Sequence, residues 1–207
     1  LYRFRSGPYG IRARLAVASA DIPVALREIL LRDKAPEFLA ISPSGTVPCL
    51  VAGQDVIDES LDIMLWALRL SDPEDLLENE DASLDLIAKI DGPFKTALDH
   101  YKYHSRHPEL DRTTQRSAAA AHLWRLNDRL EAQAWLLGPE IRLADLAILP
   151  FVRQFAFIDK PWFDAQPWPQ LQGWLARFLD SDACARVMVL YPQWRPGDAP
   201  SGFPSCA

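Results

Sequence analysis

Cysteine is scarce in this sequence of 207 residues, which has only Cys49, Cys184 and Cys206. Three cysteines so far apart do not indicate the disulfide framework of a small secreted protein. The sequence has no Cys-x-x-Cys pair and no Cys/His spacing typical of zinc, so it predicts no metal site. It also has no run of about 20 apolar residues, which a membrane span requires, and no opening like a signal peptide. We therefore expect a cytoplasmic protein without a membrane partner.

Basic residues are outnumbered by acidic ones: the chain has 22 Lys and Arg and 28 Asp and Glu, which gives a formal net charge of −6. This balance argues against nucleic acid as the main partner. The charge is uneven, since residues 1–34 contain seven basic and three acidic residues and the rest of the chain carries −10. The first part of the chain would therefore attract a small anion. The length suits one or two small domains.

A hairpin followed directly by a helix is the clearest local pattern in the sequence. Residues 47–51 form a short apolar run, Gly53-Gln54 can turn the chain, and residues 55–57 resume a strand. The period then becomes helical, with apolar residues at i, i+3, i+4 and i+7: Leu61, Met64, Leu65 and Leu68. The start of such a helix carries unpaired N–H groups that favour an anion.

The residues at this helix start suggest a site for a ligand with both an ammonium and a carboxylate group. Glu59 would suit the ammonium, and Ser60 at the helix start would suit the carboxylate. Val47, just before Pro48, could offer its main-chain N–H and C=O to a peptide laid alongside. The alternative is that Asp58 or Ser60 only caps the helix and Pro48 only opens a strand.

The pattern along the chain predicts an α/β first part and a helical second part. The order β-α-β-α-β-β-α fills residues 1–71, with strands at 1–4 and 22–31 and helices near 8–18 and 36–40 before the hairpin. An acidic segment, residues 72–82, reads as a linker. Residues 83–207 then form the second domain, with helices at 118–134, 143–157 and 168–179, a bend at Gly92-Pro93, and an irregular tail containing Pro192, Pro196, Pro200 and Pro204.

Val47-Pro48, the hairpin and Glu59-Ser60 together resemble the glutathione-binding half of the glutathione transferase family. Residues 1–4 followed by Gly7-Pro8-Tyr9-Gly10-Ile11-Arg12-Ala13-Arg14 resemble the first strand and helix of bacterial members that have a Cys-Pro-Tyr start. Gly138-Pro139, Leu143-Ala144-Asp145-Leu146-Ala147 and Pro150-Phe151-Val152 resemble the signature of the family's helical half. The resemblance runs from residue 1 to near residue 180.

The resemblance implies an α/β N-terminal thioredoxin-like domain plus an all-α C-terminal domain, the glutathione transferase fold. It also implies glutathione as co-substrate, a small hydrophobic electrophile as second substrate, and a role in detoxification. The implied glutathione-binding residues are Lys34, Thr46, Val47, Pro48, Glu59 and Ser60, and the implied acceptor-pocket residues are Phe94, Tyr101 and Phe155. A cis Val47-Pro48 bond is implied too. The resemblance is compatible with a homodimer, although the sequence does not determine the oligomer.

The catalytic position of the Cys-Pro-Tyr pattern is occupied here by Gly7. A thiol with a pKa near about 8.5 must be made partly thiolate at neutral pH, which requires a donor at the first strand-helix junction. Ser6 is the first candidate, Tyr9 the second, and backbone N–H groups at the helix start the third. Besides a transferase, two functions stay open: a non-catalytic glutathione-binding protein that has lost its catalytic cysteine, and a glutaredoxin-like thiol reductase, with which the missing cysteine conflicts.

Other reactive residues are given structural interpretations. Cys49 lies in an apolar strand and is expected to be buried. His100, His104 and His107 would share one helical face, but no His-Glu-x-x-His pattern accompanies them.

Arg142 departs from the family pattern, which has a capping Ser or Thr three residues before the Asp. Only Asp145 could then contribute to the capping box. We therefore expect the helix that follows to be capped less well than in other members, and Arg142→Ser to raise the melting temperature.

Overall fold

The computed structural model describes residues 1–204 and divides them into two compact units. The first unit contains residues 1–75 and 180–204, and the second contains residues 76–179. Cys206 lies outside the described residues. Within the described residues, no helix is long and apolar enough to cross a membrane.

The first unit begins with the predicted β-α-β-α-β-β-α order, which the structure confirms. Its elements are β1 (Tyr2–Arg3), α1 (Pro8–Ser19), β2 (Val24–Glu28), α2 (Pro36–Ile41), β3 (Leu50–Ala52), β4 (Asp55–Ile57) and α3 (Ser60–Leu70). Both α1 and α2 start with a proline, whose fixed φ suits the first helical position. β4 has the predicted bounds, whereas β1, β2 and β3 are shorter than the runs that predicted them, because only part of each run pairs with a neighbour.

The strands of this unit bring the start of α1 close to the hairpin. β1 pairs in parallel with β2, and β3 pairs with β4 as an antiparallel hairpin. A bridge joins Tyr2 to Cys49, with N–H···O distances of 2.8 and 3.1 Å. Tyr2 and Cys49 are buried with Ile29 and Phe38 in one apolar cluster, and α1 packs mainly on α3.

The second unit is helical in the part that the structure describes. Its α-helices are α4 (Glu80–Lys89), α5 (Lys95–Lys102), α6 (Arg112–Leu130), α7 (Leu143–Ala156), α8 (Lys160–Asp164) and α9 (Pro169–Leu179). A break between α4 and α5 at Gly92-Pro93 confirms the predicted interruption, since Gly92 has non-helical dihedral angles. α6 begins six residues earlier than expected, because Asp111 Oδ1 accepts from the Thr114 N–H at 2.7 Å and caps it.

Aromatic side chains fill the core of the second unit. Phe94, Tyr101 and Phe155 are no more than 2% exposed, and the Phe155 ring packs on the other two, with its centroid 6.2 Å from that of Phe94 and 5.6 Å from that of Tyr101. Phe155 also contacts Phe163, which packs on Trp168. The three residues expected to line an acceptor pocket are therefore part of this core and offer no open surface to an acceptor.

A buried carboxylate joins the helices of the second unit. Asp145 Oδ1 accepts from the Leu136 N–H at 3.0 Å and from Trp174 Nε1 at 2.9 Å, and Oδ2 accepts from the Arg142 N–H at 3.0 Å. Burial raises the pKa of Asp145, and these hydrogen bonds oppose the rise. Arg142 does not cap α7 through its side chain, which instead pairs with Glu78.

The final segment differs from the expected irregular tail within a helical domain of residues 83–207. It contains α10 (Asp182–Val187) and β5 (Ser201–Phe203), and it belongs to the first unit. β5 pairs antiparallel with β2, with Phe203 opposite Val24, and Phe203 is 1% exposed. Prolines flank this short strand, so its local pattern carries little strand signal, and within residues 1–204 its strand partner is β2.

Two buried arginines fasten this segment to the first unit. Arg14 donates to the carbonyls of Gly10 at 2.9 Å, Arg5 at 2.7 Å and Val187. Arg3 pairs with Glu28 at 2.7 Å and donates to the Val189 carbonyl at 3.3 Å. Burial lowers the pKa of both arginines, and their carbonyl and carboxylate partners offset part of that cost.

Candidate functional site

The start of α1 lies where the resemblance places the catalytic group. Ser6 is exposed in the preceding turn, and Gly7 is the N-cap residue with φ −71° and ψ 130°. These angles suit any residue, and a Cβ on Gly7 would lie 3.6 Å from the nearest atom, a ring carbon of Phe4. Gly10 differs, because a Cβ there would lie 2.9 Å from the Phe4 carbonyl oxygen. The backbone therefore requires glycine at residue 10 but not at residue 7.

The loop before Pro48 is tied to the entry of α3. The Val47-Pro48 bond is cis, which confirms the expectation. Asp58 Oδ2 accepts from the Ser44 N–H at 3.1 Å, and Ser44 Oγ lies 2.7 Å from Thr46 Oγ1. Asp58 therefore holds this loop and does not cap α3.

Glu59 and Ser60 occupy the start of α3 in different ways. Glu59 is the N-cap residue, and its exposed side chain makes no capping hydrogen bond. Ser60 is 2% exposed, and its Oγ accepts from Arg12 Nε at 2.9 Å. The carboxylate at this helix start is thus accessible, whereas the hydroxyl beside it is already held by a buried guanidinium group.

Arg12 is the site residue that sequence reasoning missed. It is 2% exposed on α1, and its guanidinium carbon lies 5.1 Å from the centre of the Tyr9 ring. It therefore connects Tyr9 with Ser60, two predicted site residues that are far apart in the sequence. A basic residue next to Ile11, on a helix with many apolar residues, was a readable signal, but its partner on α3 was not.

Lys34 lies apart from these contacts. It is half-buried in the loop between β2 and α2. Among residues 1–204, no hydrogen bond or ion pair links Lys34 to another predicted site residue. The structure therefore connects Tyr9 with Ser60, and Thr46 with the residue before Glu59, but leaves Lys34 and Ser6 without such a connection.

The other reactive residues do not form a second site. Cys49 is fully buried, as expected, and burial raises the pKa of its thiol. The rings of His100 and His107 lie 4.6 Å apart, but His104 belongs to a short 3-10 turn outside α5. Over residues 1–204, no group of three or more His, Cys, Asp or Glu side chains could hold a metal ion.

Comparison with protein families gives two consecutive matches. Residues 1–75 match the model "Glutathione S-transferase, N-terminal domain", and residues 81–177 match "Glutathione S-transferase, C-terminal domain". The chain belongs to the glutathione S-transferase family. The α/β first unit and the helical second unit described above are the two halves of that fold.

Three relatives of this chain are similar to it at low sequence identity. FtsZ-localized protein A of Caulobacter vibrioides is 26% identical over 220 residues, covering 97% of this chain and 94% of its own. A glutathione S-transferase-like protein of Aspergillus fumigatus is 24% identical, covering 84% and 88%. A glutathione transferase family member from Pseudomonas fluorescens, solved with two glutathione molecules bound, is 18% identical with a TM-score of 0.79, covering 91% of each chain.

Proposed function

We propose that the first unit binds glutathione with its γ-glutamyl end at the start of α3. The observation that carries this proposal is the pair formed by the accessible Glu59 carboxylate and the neighbouring Ser60 hydroxyl. The ammonium of the γ-glutamyl group would contact Glu59, and its carboxylate would contact Ser60. Family membership and a relative solved with bound glutathione support the choice of ligand.

The rest of the tripeptide would follow the loop before Pro48. Its cysteinyl backbone would run antiparallel to Val47, whose side chain is half-buried against the apolar cluster and whose loop is held by Asp58 through Ser44. Thr46 and Lys34 are included as further contacts of the ligand. The sulfur would then lie toward the start of α1.

The reaction would be transfer of glutathione to a small hydrophobic electrophile. Gly7 supplies no side chain, so the thiolate would be stabilised by Ser6, by Tyr9, or by the N–H groups of Tyr9 and Gly10 at the start of α1. Donors to the charged form lower the pKa of a thiol. Such a protein would act in the cytoplasm, in detoxification, and as a homodimer.

Calorimetry tests the binding proposal most simply. Loss of the Glu59 contact in Glu59→Ala should weaken glutathione binding by about 1.5 to 3 kcal/mol, because a charge-assisted hydrogen bond is removed. Glu37→Ala removes an exposed carboxylate from α2 and serves as the matched control. Wild-type affinity in Glu59→Ala would rule out this placement.

Kinetics with a standard aromatic electrophile test the chemistry. If the Ser6 hydroxyl stabilises the thiolate, Ser6→Ala should lower the rate and raise the pKa of the bound glutathione thiol. If the N–H groups at the start of α1 are enough to stabilise the thiolate, neither the rate nor the pKa of the thiol should change. Gly7→Cys should introduce glutathione-dependent disulfide reduction, since a thiolate would lie at a helix N-terminus and a side chain fits there. Equal reductase activity in the unmodified chain would refute the assignment of position 7.

A second candidate is a protein that binds but does not catalyse. The absence of any side chain at Gly7 favours it, and so does similarity over nearly the whole chain to a relative named for its localization with FtsZ. In this case glutathione would bind without turnover, and the chain would co-sediment with FtsZ polymers. Turnover with an electrophile and no co-sedimentation would exclude this candidate.

A further inference from the structure

The contact between Arg12 and Ser60 determines how the Ser60 hydroxyl can hydrogen-bond to the γ-glutamyl carboxylate of the proposed ligand. Arg12 Nε is a donor, so at 2.9 Å the Ser60 oxygen must be the acceptor. The hydroxyl hydrogen remains able to donate to another group. A hydroxyl that accepts from a charged donor is polarised and becomes a better donor itself. Ser60 is thereby prepared for an anion and not for an ammonium.

The aromatic contact of Arg12 adds a second constraint. Its guanidinium group lies against the Tyr9 ring, with 5.1 Å between its carbon and the ring centre. Tyr9 is in the first turn of α1 and Ser60 is the first residue of α3. One buried side chain therefore contacts groups at two helix starts, the two places where the proposed function puts glutathione.

We propose that Arg12 is a positioning residue that orients the Ser60 hydroxyl to bind the γ-glutamyl carboxylate of glutathione. This inference rests on the proposed function. Arg12 acts through Ser60 and does not contact the carboxylate itself. The consequence is selectivity, because ligands that carry this carboxylate bind and analogues that lack it bind weakly.

A purely structural role for Arg12 makes a different prediction. Arg12 lies on α1, which packs on α3, so its loss could loosen both helices and weaken every ligand equally. The two roles separate when two ligands are compared on the same variant. Suitable probes are glutathione and 4-aminobutanoyl-cysteinyl-glycine, which has the same chain without the γ-glutamyl carboxylate.

The experiment is calorimetry of both probes on a small set of variants. In Arg12→Gln the side-chain NH2 occupies the place of Nε and still donates to Ser60, whereas Arg12→Met has a similar length and no donor. Ser60→Ala removes the acceptor. Arg69→Met removes an exposed arginine from the last turn of α3 and is the control.

The unmodified chain should bind glutathione at least about tenfold more tightly than the analogue, which is the effect of one charge-assisted hydrogen bond. Arg12→Met and Ser60→Ala should each bring the ratio of the two affinities close to one. The double variant with both substitutions should have the same ratio as either single variant. Arg12→Gln should keep most of the ratio, and Arg69→Met should keep all of it. Melting curves without ligand establish that each variant is folded.

Each of the following results would overturn the inference. An unchanged ratio in Arg12→Met, or an equal loss for both probes, would assign Arg12 a structural role while the proposed function stands. If Arg12→Met does not fold, the other variants test the inference. It is contradicted if Arg12→Gln loses the preference for glutathione over the analogue, or if Ser60→Ala keeps that preference. Absence of glutathione binding by the unmodified chain would refute the proposed function and this inference with it.

Discussion

The two units bury charged groups of opposite sign and satisfy them differently. The first unit buries Arg3 and Arg14, which donate mainly to backbone carbonyls and have Glu28 as their buried acidic neighbour. The second unit buries Asp145, which accepts three N–H donors. The first arrangement fastens a segment distant in sequence, and the second fastens helix ends within one unit. Arg3, Arg14 and Asp145 therefore each mark a point where separate pieces of backbone are joined.

Arg12 differs from both of these arrangements. Arg12 donates to a neutral hydroxyl and lies against an aromatic ring. The contrast with Arg14, two residues away on the same helix, is the reason to assign Arg14 to stability and Arg12 to the site.

The largest expected effect on stability concerns Asp145, the buried carboxylate of the second unit. Asp145→Ala leaves the N–H groups of Leu136, Arg142 and Trp174 without their acceptor, so we expect it to lower the free energy of unfolding by at least about 3 kcal/mol. Urea denaturation measures this loss. Asp85→Ala, at an exposed position of α4, should change stability by less than about 0.5 kcal/mol. Similar free energies of unfolding for Asp145→Ala and Asp85→Ala would show that the hydrogen bonds of Asp145 do not stabilise the second unit.

Loss of Arg14, a buried arginine of the first unit, should cost less stability than loss of Asp145. It should also affect a segment that is far from Arg14 in the sequence. Arg14→Met removes the donor from the carbonyls of Arg5, Gly10 and Val187, and we expect a loss of about 2 to 3 kcal/mol. Amide hydrogen exchange in α10 and β5 should increase as well, because this segment loses an anchor. Arg32→Met, at an exposed position, should leave the exchange unchanged. Faster exchange confined to α1 would contradict the fastening role.

The two glycines at the start of α1 give a smaller and internally matched contrast. Gly10→Ala places a Cβ 2.9 Å from the Phe4 carbonyl oxygen and should cost about 1 to 3 kcal/mol through a forced backbone shift. Gly7→Ala meets only ordinary contacts, and because alanine is a poorer N-cap residue than glycine we expect a loss of less than about 1 kcal/mol. Thermal melting of the two variants measures the difference. An equal loss at both positions would mean that residue 7 is glycine for structural reasons.

The smallest effect concerns the cap of α7. A serine at position 142 can accept from the helix start, so Arg142→Ser should exceed Arg142→Ala in stability by about 1 kcal/mol. The ion pair with Glu78, whose side chain is 57% exposed, is lost in both variants and contributes little. Arg142→Ser should therefore melt at or above the temperature of the unmodified chain. A lower melting temperature would show that the Glu78 pair outweighs the cap.

Local patterns predicted most of the fold, because they depend on neighbours in the sequence. The change of period after Ile57 located α3, and Gly92-Pro93 marked the break before α5. The early start of α6 was also readable, since Asp111 and Thr114 form a local cap. β5 was not predictable in the same way, because three residues between prolines become a strand only when β2 lies beside them.

The residues of the proposed site could be located from the sequence to a similar extent. Glu59-Ser60 and Val47-Pro48 are short motifs whose proposed roles follow from their place at a helix start and before a proline. The partner of Ser60 was not visible, because Arg12 is 48 residues away and its burial is a tertiary property. The hydrogen bond from the Ser44 N–H to Asp58 was missed for the same reason, since the sequence suggested only a capping role for Asp58.

A crystal structure of this chain with bound glutathione would show the position and the direction of the tripeptide. The proposed function predicts the γ-glutamyl group at the start of α3 with its ammonium on Glu59 and its carboxylate on Ser60. It also predicts the cysteinyl backbone antiparallel to Val47 and the sulfur beside residues 6–10. Glutathione bound elsewhere, or bound here in the reverse direction with its sulfur away from α1, would contradict it.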